Sequence, residues 1–278
     1  MQLFFSTLIV SIVLTLIFYS PIMRMLSGAN CTKPNYRKHY VVNSFGIMLP
    51  IIILMSSALF GIQFFARTGT SINSPGLLLL LSLVMPMSFV GFIDDLLGTR
   101  LIGGFRGHFS QLRFGILTTG TLKAIIGFSV SATIAAFVSG NIFDYLINVG
   151  VLVLSINVLN LFDLRPGRAI KIFSLSVIAT FIASWTSSFW SLWGLIIPPV
   201  AGLLWGDLKE QSMMGDVGSN SLGAILGLAF VINLSQTANL IILIVLAVLH
   251  LITERYSLSK FIEKAPLIKQ FDELGVKR

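Results

Sequence analysis

One cysteine, three histidines and a charged fraction of only 11% leave this 278-residue chain short of what soluble domains are built from. Cys31 stands alone, which excludes an intramolecular disulfide and leaves the compartment unread by cysteine usage. Charge is replaced by apolar residues: 55% of the chain is hydrophobic and the mean hydropathy is +0.90, which excludes an ordinary soluble domain. Strict alternation of polar and apolar residues is missing as well, and the continuous runs far exceed the ten or so residues of a barrel strand, so strands are not expected. No repeat, low-complexity tract or soluble domain interrupts the pattern. Although the net charge is +8, the basic residues are spread over short loops with no aromatic-interleaved face, which argues against nucleic acid as a partner. Polar residues at mid-span are also scarce, with His250 near a span end and Gln63 not deep, which weighs against a transporter.

What remains is a series of continuous apolar runs, each long enough for the roughly 20 residues a helix needs to cross a bilayer. They fall at about 3–21, 45–65, 75–93, 118–139, 144–161, 170–187, 189–205, 220–236 and 237–252. The expectation is an all-α, polytopic transmembrane helical bundle of about nine spans, a single domain over 1–278 with a basic tail at 253–278. The first run lacks a basic leader and a small-residue cleavage site, so it is kept as a helix. If every run crosses, 18 of the 19 basic residues share one side and only Arg67 faces the other. The positive-inside rule makes the crowded side cytoplasmic and puts the N-terminus outside, in a multi-pass protein of the plasma membrane. Anionic lipid headgroups and a phosphorylated substrate are the partners such loops suit.

Three aspartate-bearing segments lie at span ends on that one side. Carboxylates at a hydrocarbon edge are costly, and their convergence suggests a bound cation. Phe92-Ile93-Asp94-Asp95 ends the third run; adjacent carboxylates repel unless a cation neutralises them, and Mg²⁺ favours one or two carboxylates plus phosphate oxygens. Asn157, Asn160 and Asp163 recur every three residues along one stripe of a helix end. That stripe suits a nucleotide or a hydrated metal, or equally hydrogen bonds between packed helices. Arg165-Pro166-Gly167-Arg168 follows as a rigid turn with two guanidiniums suited to phosphate. Gly215-Asp216-Val217-Gly218-Ser219-Asn220 opens a helix; Asp216 is read as a ligand or as a simple N-cap. Arg37-Lys38-His39 is an interfacial basic cluster, and Lys123, just inside the fourth run, must snorkel or pair with a carboxylate. His108 has no evident ligand partner and reads as a polar loop residue, while Gly223 and Gly227 form a face for close helix packing.

Taken in order, these motifs resemble the polyprenyl-phosphate N-acetylhexosamine-1-phosphate transferases, over most of the chain from about Arg37 to Asn220. The resemblance is carried by Arg37-Lys38-His39, Ile93-Asp94-Asp95, Lys123, Asn157-x-x-Asn160-x-x-Asp163 and Met214-Gly215-Asp216-Val217-Gly218-Ser219. It departs from the family pattern at Leu164 and Pro166, and no histidine follows His250. The resemblance implies transfer of a sugar-1-phosphate from a UDP-linked amino sugar to a polyprenyl phosphate such as undecaprenyl phosphate. UMP is released, in the synthesis of envelope glycans such as peptidoglycan. It implies Mg²⁺ as cofactor, Asp95 and Asp216 as its ligands, and Asp94 as the group that orients or deprotonates the lipid phosphate. Asn157, Asn160 and Asp163 would hold the nucleotide, with Lys123, Arg168 and His39 on the substrates. A direct attack and an aspartyl-phosphate route both stay open, and a homodimer is compatible with this reading. The readings from other classes are a catalytically silent homologue in an envelope-building complex and a lipid-phosphate flippase.

Overall fold

In a bilayer a run of apolar residues has no water to satisfy its backbone, so each run closes its own hydrogen bonds as a helix. The computed structural model describes residues 2–70, 74–98, 111, 113–184 and 191–276. Its helices, in chain order, are α1 (Gln2–Gly28), α2 (Met48–Thr68), α3 (Pro75–Leu97), α4 (Thr119–Val138) and α5 (Ile142–Phe162). They continue with α6 (Arg168–Ser184), α7 (Trp193–Leu208), α8 (Gly215–Asn233), α9 (Gln236–Arg255), α10 (Leu258–Lys264) and α11 (Pro266–Glu273). Arg100, Arg106 and His108, part of the expected basic loop, lie outside the described residues.

Nine of these helices fall on the nine apolar runs, but seven of the described helices are long and apolar enough to cross a membrane. The exceptions are α6, at 17 residues, and α7, at 16. At 1.5 Å per residue α7 is about 24 Å long, short of the roughly 30 Å hydrocarbon core, while α6 is described for 17 residues up to the edge of the described segment at Ser184. The fold is an all-α, polytopic membrane bundle.

Helix α8 is the centre of that bundle. It packs against α3, α5, α6 and the turn before α2, and Val217, Leu222, Ala224, Ile225, Leu228 and Ala229 are fully buried. Between apolar helices in lipid, close packing and polar contacts drive association. Gly223 supplies the first, since a methyl group there would overlap the Ser155 carbonyl oxygen of α5. Ser88 of α3 and Ser221 of α8 supply the second, with hydroxyls 2.6 Å apart. The outer helices α1, α4 and α9 present rows of exposed apolar side chains, such as Leu16, Phe128 and Leu251, as a lipid-facing surface requires.

One element departs from the all-helical expectation. Residues 32–42 form an antiparallel hairpin, β1 (Thr32–Pro34) and β2 (Tyr40–Val42), in the register Thr32↔Val42 and Pro34↔Tyr40. Its turn is closed by the Asn35 carboxamide oxygen, which accepts from the amides of Arg37 and His39. Past β2 the chain pairs with the loop before α8: Met213 N–H donates to Val42 O (2.7 Å) and Gly46 N–H to Met214 O (3.0 Å). These bonds bind the entry of α2 to the entry of α8, at the end of the bundle where the aspartates lie.

Candidate functional site

The C-terminal turn of α3, the first turns of α4 and α8, and the last turn of α5 meet at one end of the bundle. Residues adjacent on a helix point about 100° apart, so Asp94 and Asp95 leave α3 in different directions. Asp94 turns toward α4, where the Lys123 ammonium lies 3.5 Å from its carboxylate and 2.6 Å from that of Asp216 on α8. The Asn160 amide of α5 donates to the same Asp216 oxygen at 3.4 Å. Four elements far apart in the sequence therefore present two carboxylates, one ammonium and one amide to a common point. The Asp94, Lys123 and Asp216 side chains are each about one-fifth exposed, so the cluster is reachable but largely shielded.

Asp95 does something else. Its carboxylate accepts from the backbone N–H groups of Asp216 (3.0 Å) and Val217 (3.3 Å), capping the start of α8. The Asn43 amide donates to it at 3.3 Å and Lys33 lies 3.8 Å away. Gly215 makes this approach feasible: it has a φ of +68° and lies against the Asp95 carboxylate, where a side chain would collide with it. Both Asp95 oxygens thus help to hold the start of α8, a structural task that the sequence reading did not assign to it.

Asn157 lies one turn before Asn160 and is half-buried. Asp163 ends α5 and lines a cavity of about 60 Å³ with Tyr36, Asp207, Glu210 and Pro166. Burial, followed by the neighbouring charges of Asp207, Asp216 and Asp95, holds its carboxyl well above the usual carboxylate range. Asp207, which the sequence reading passed over, is buried at the end of α7 and accepts the Gly167 N–H at 2.7 Å. Lys33 and Asn43 were passed over too. They lie on and just after a hairpin only three residues per strand long, and neither helical spacing nor a motif marks them.

Arg168 and His39, both expected on the substrates, make contacts of their own in this structure. Arg168 is buried, 3% exposed, and its guanidinium is taken up bidentately by Asp272 (2.6 and 2.7 Å) and by Ser259 (2.9 Å). Its fork is filled by the C-terminal segment in this structure. His39 sits exposed at the hairpin turn; the site is met by the far end of that hairpin, through Lys33.

Whether these residues suit Mg²⁺ is decided by the donor set. No group of three His, Cys, Asp or Glu side chains gathers to hold a metal among the described residues. Mg²⁺ does not need one, since it is usually held by one or two carboxylates with waters and substrate phosphates completing its shell. Asp94 and Asp216 converge on a point that already carries a cationic ammonium, which makes that pair compatible with the ion.

No protein-family profile matches the chain. It is 28% identical over 234 residues to a phospho-N-acetylmuramoyl-pentapeptide-transferase of Borrelia garinii subsp. bavariensis, a match covering 71% of this chain. The match spans 66% of that relative's length. Such a distant likeness points toward polyprenyl-phosphate phosphotransferases as a group without favouring one member. Together with the seven apolar helices, it makes the chain a multi-pass protein of the plasma membrane.

Proposed function

We propose that this protein transfers an N-acetylhexosamine-1-phosphate from a UDP-linked amino sugar to a polyprenyl phosphate, releasing UMP, at the cytoplasmic face of the membrane. The observation that carries the reading is the meeting of Asp94, Lys123, Asn160 and Asp216 at one end of the bundle. A polyprenyl chain must stay in the bilayer while its phosphate reaches polar groups, and a cluster at helix ends meets that requirement. The distant relative's name, with its phospho-sugar transfer, agrees with it.

In the reaction a lipid-phosphate oxygen bonds to the sugar-bearing phosphorus of the donor, and the bond from that phosphorus to the UMP oxygen breaks. Both reactants are anions, so the protein's work is positioning and charge neutralisation. Lys123 offers its ammonium to a phosphate oxygen. Asp94 orients the incoming lipid phosphate and accepts its proton where one is present. Asn160, Asn157 and Asp163, on the stripe ending α5, hold the nucleotide. Asp95 keeps the first turn of α8 in place and so sets the position of Asp216. Mg²⁺ would be held by Asp94 and Asp216 and would supply charge neutralisation for the diphosphate and the departing UMP.

The test uses purified protein in detergent with undecaprenyl phosphate and a panel of UDP-N-acetylhexosamines, with Mg²⁺ or with chelator. Metal-dependent UMP release, lost in Asp94→Asn and Asp216→Asn while both variants stay folded, is the expected result. Full activity in either variant refutes the assignment of the site.

A further inference from the structure

The C-terminal segment is more than a solvated tail. After α9 the chain folds back as α10 and α11 against the turn that joins α5 to α6. Four contacts hold it there. Asp272 fills the Arg168 guanidinium with two short bonds, and Ser259 takes a third N–H of the same group. The Lys171 ammonium, one turn along α6, donates to the carbonyls of Asp272 (2.6 Å) and Phe271 (3.2 Å), closing the C-terminal end of α11 as a cation does well. Arg165 pairs with Glu263 of α10 at 3.0 Å. Gly275 lies against Leu208, the last residue of α7.

The object held is the turn from Asp163 to Gly167. From the other side it is fixed by the Gly167 N–H bond to Asp207. Gly167 has a φ of +71°, and Leu204 and Leu208 press on the space where a side chain would be. The turn thus sits between α7 and the C-terminal helices. Its first residue, Asp163, caps the end of α5 three positions after Asn160, whose amide donates to Asp216 at 3.4 Å. Arg168 and Asp272 are 104 positions apart in sequence. A buried fork across such a separation closes a long loop, and removing one partner leaves an uncompensated buried charge.

We infer that Asp272, acting through Arg168, is a positioning residue for the turn that carries Asp163, which makes α11 a working part of the site. The placement of the turn stands on the contacts above, and its consequence for turnover rests on the transferase reading. Loss of the fork frees the turn and weakens the grip on the nucleotide. The Asp94–Lys123–Asp216 cluster, built on other helices, stays as it is.

The experiment compares full-length wild type, Asp272→Asn and Asp272→Glu. Two readouts are taken: hydrogen exchange of peptides covering 163–171 and 216–224, and UMP-release kinetics with donor and acceptor varied separately. In Asp272→Asn, exchange in 163–171 should quicken by at least about tenfold with 216–224 unchanged, as for a local opening. Donor KM should rise about three- to thirtyfold with acceptor KM within about twofold, the pattern of lost binding uniform between ground and transition states. Asp272→Glu should recover most of both. If Asp272→Asn does not accumulate, Lys171→Met removes the two carbonyl bonds alone and should move both readouts in the same direction. Exchange that is unchanged, or that quickens equally in both peptides, overturns the inference, as does a freed turn with an unaltered donor KM. A wild type that turns over no donor refutes the transferase reading instead, and the exchange comparison then decides whether Asp272 holds the turn.

Discussion

Replacing Asp95 by Asn separates its structural role from the chemistry of its neighbour. The Asp95 carboxylate, 8% exposed, caps two N–H groups at the start of α8, and Asn43 and Lys33 complete its surroundings. Asparagine keeps one acceptor oxygen but turns an NH₂ group toward one of those donors and removes the charge. A hydrogen bond to a charged group is worth about 1.5–3 kcal/mol, and an anion at a helix N-terminus adds roughly 0.3–1 kcal/mol. Losing one such bond, together with the charge, gives about 2–4 kcal/mol. For a chain of this size that corresponds to a melting temperature lower by roughly 5–10 °C. The assay is thermal unfolding of the purified variants in one detergent, followed by UMP release from the folded fraction at low temperature. Asp95→Asn should melt early and keep measurable turnover. Asp94→Asn and Asp216→Asn should melt near wild type without turnover. An Asp95→Asn protein that melts like wild type and is inactive would refute the capping role and return Asp95 to the substrate or metal.

Lys123→Met leaves the Asp94 and Asp216 carboxylates, at 3.5 and 2.6 Å from the lost ammonium, facing each other uncompensated. UMP release should fall by about two to three orders of magnitude, with Lys123→Arg restoring part of it, the scale seen when one preorganised stabilising group is removed. Burial raises the Asp163 carboxyl, so the folded state holds that proton more tightly than the unfolded chain does. Its stabilising effect is present in full below the ordinary carboxylate range and is lost as pH climbs through the raised folded-state value. Asp163→Asn should remove that loss, so melting curves taken across pH should show the variant gaining on wild type as pH increases. Gly223→Ala should destabilise the bundle by about 1–3 kcal/mol in the same thermal assay, because its methyl group meets the Ser155 carbonyl.

The positions of the helices were legible because each apolar run reports its own place, and the runs at 170–187 and 189–205 match α6 and α7 to within a few residues. Helix α7 runs straight through Pro198 and Pro199. The acidic motifs were legible as a set, since costly groups at hydrocarbon edges mark themselves. Their division of labour was not. Asp94 and Asp95 are chemically identical neighbours, and only the direction in which each leaves α3 separates a carboxylate facing Lys123 from one facing backbone N–H groups. The partner of Arg168 was hidden for a different reason. That arginine's donor fork suits a phosphate and a carboxylate equally well, and the competing carboxylate lies in a segment read only as a basic tail. Local sequence carries no trace of such a partner. The hairpin of residues 32–42 escaped because strands of three residues are too short to show a period.

The helix buried most completely in this bundle is also one of the last to be made. During synthesis α3 and α5 enter the membrane well before α8 exists, with Ser88 and the Ser155 carbonyl facing a neighbour that has not yet arrived. Early helices must therefore wait around a vacant axis, and the cluster of Asp94, Lys123 and Asn160 has no fourth member until Asp216 emerges. Assembly runs from the rim inward, so a chain broken off before residue 215 would lose the middle of the molecule along with its end.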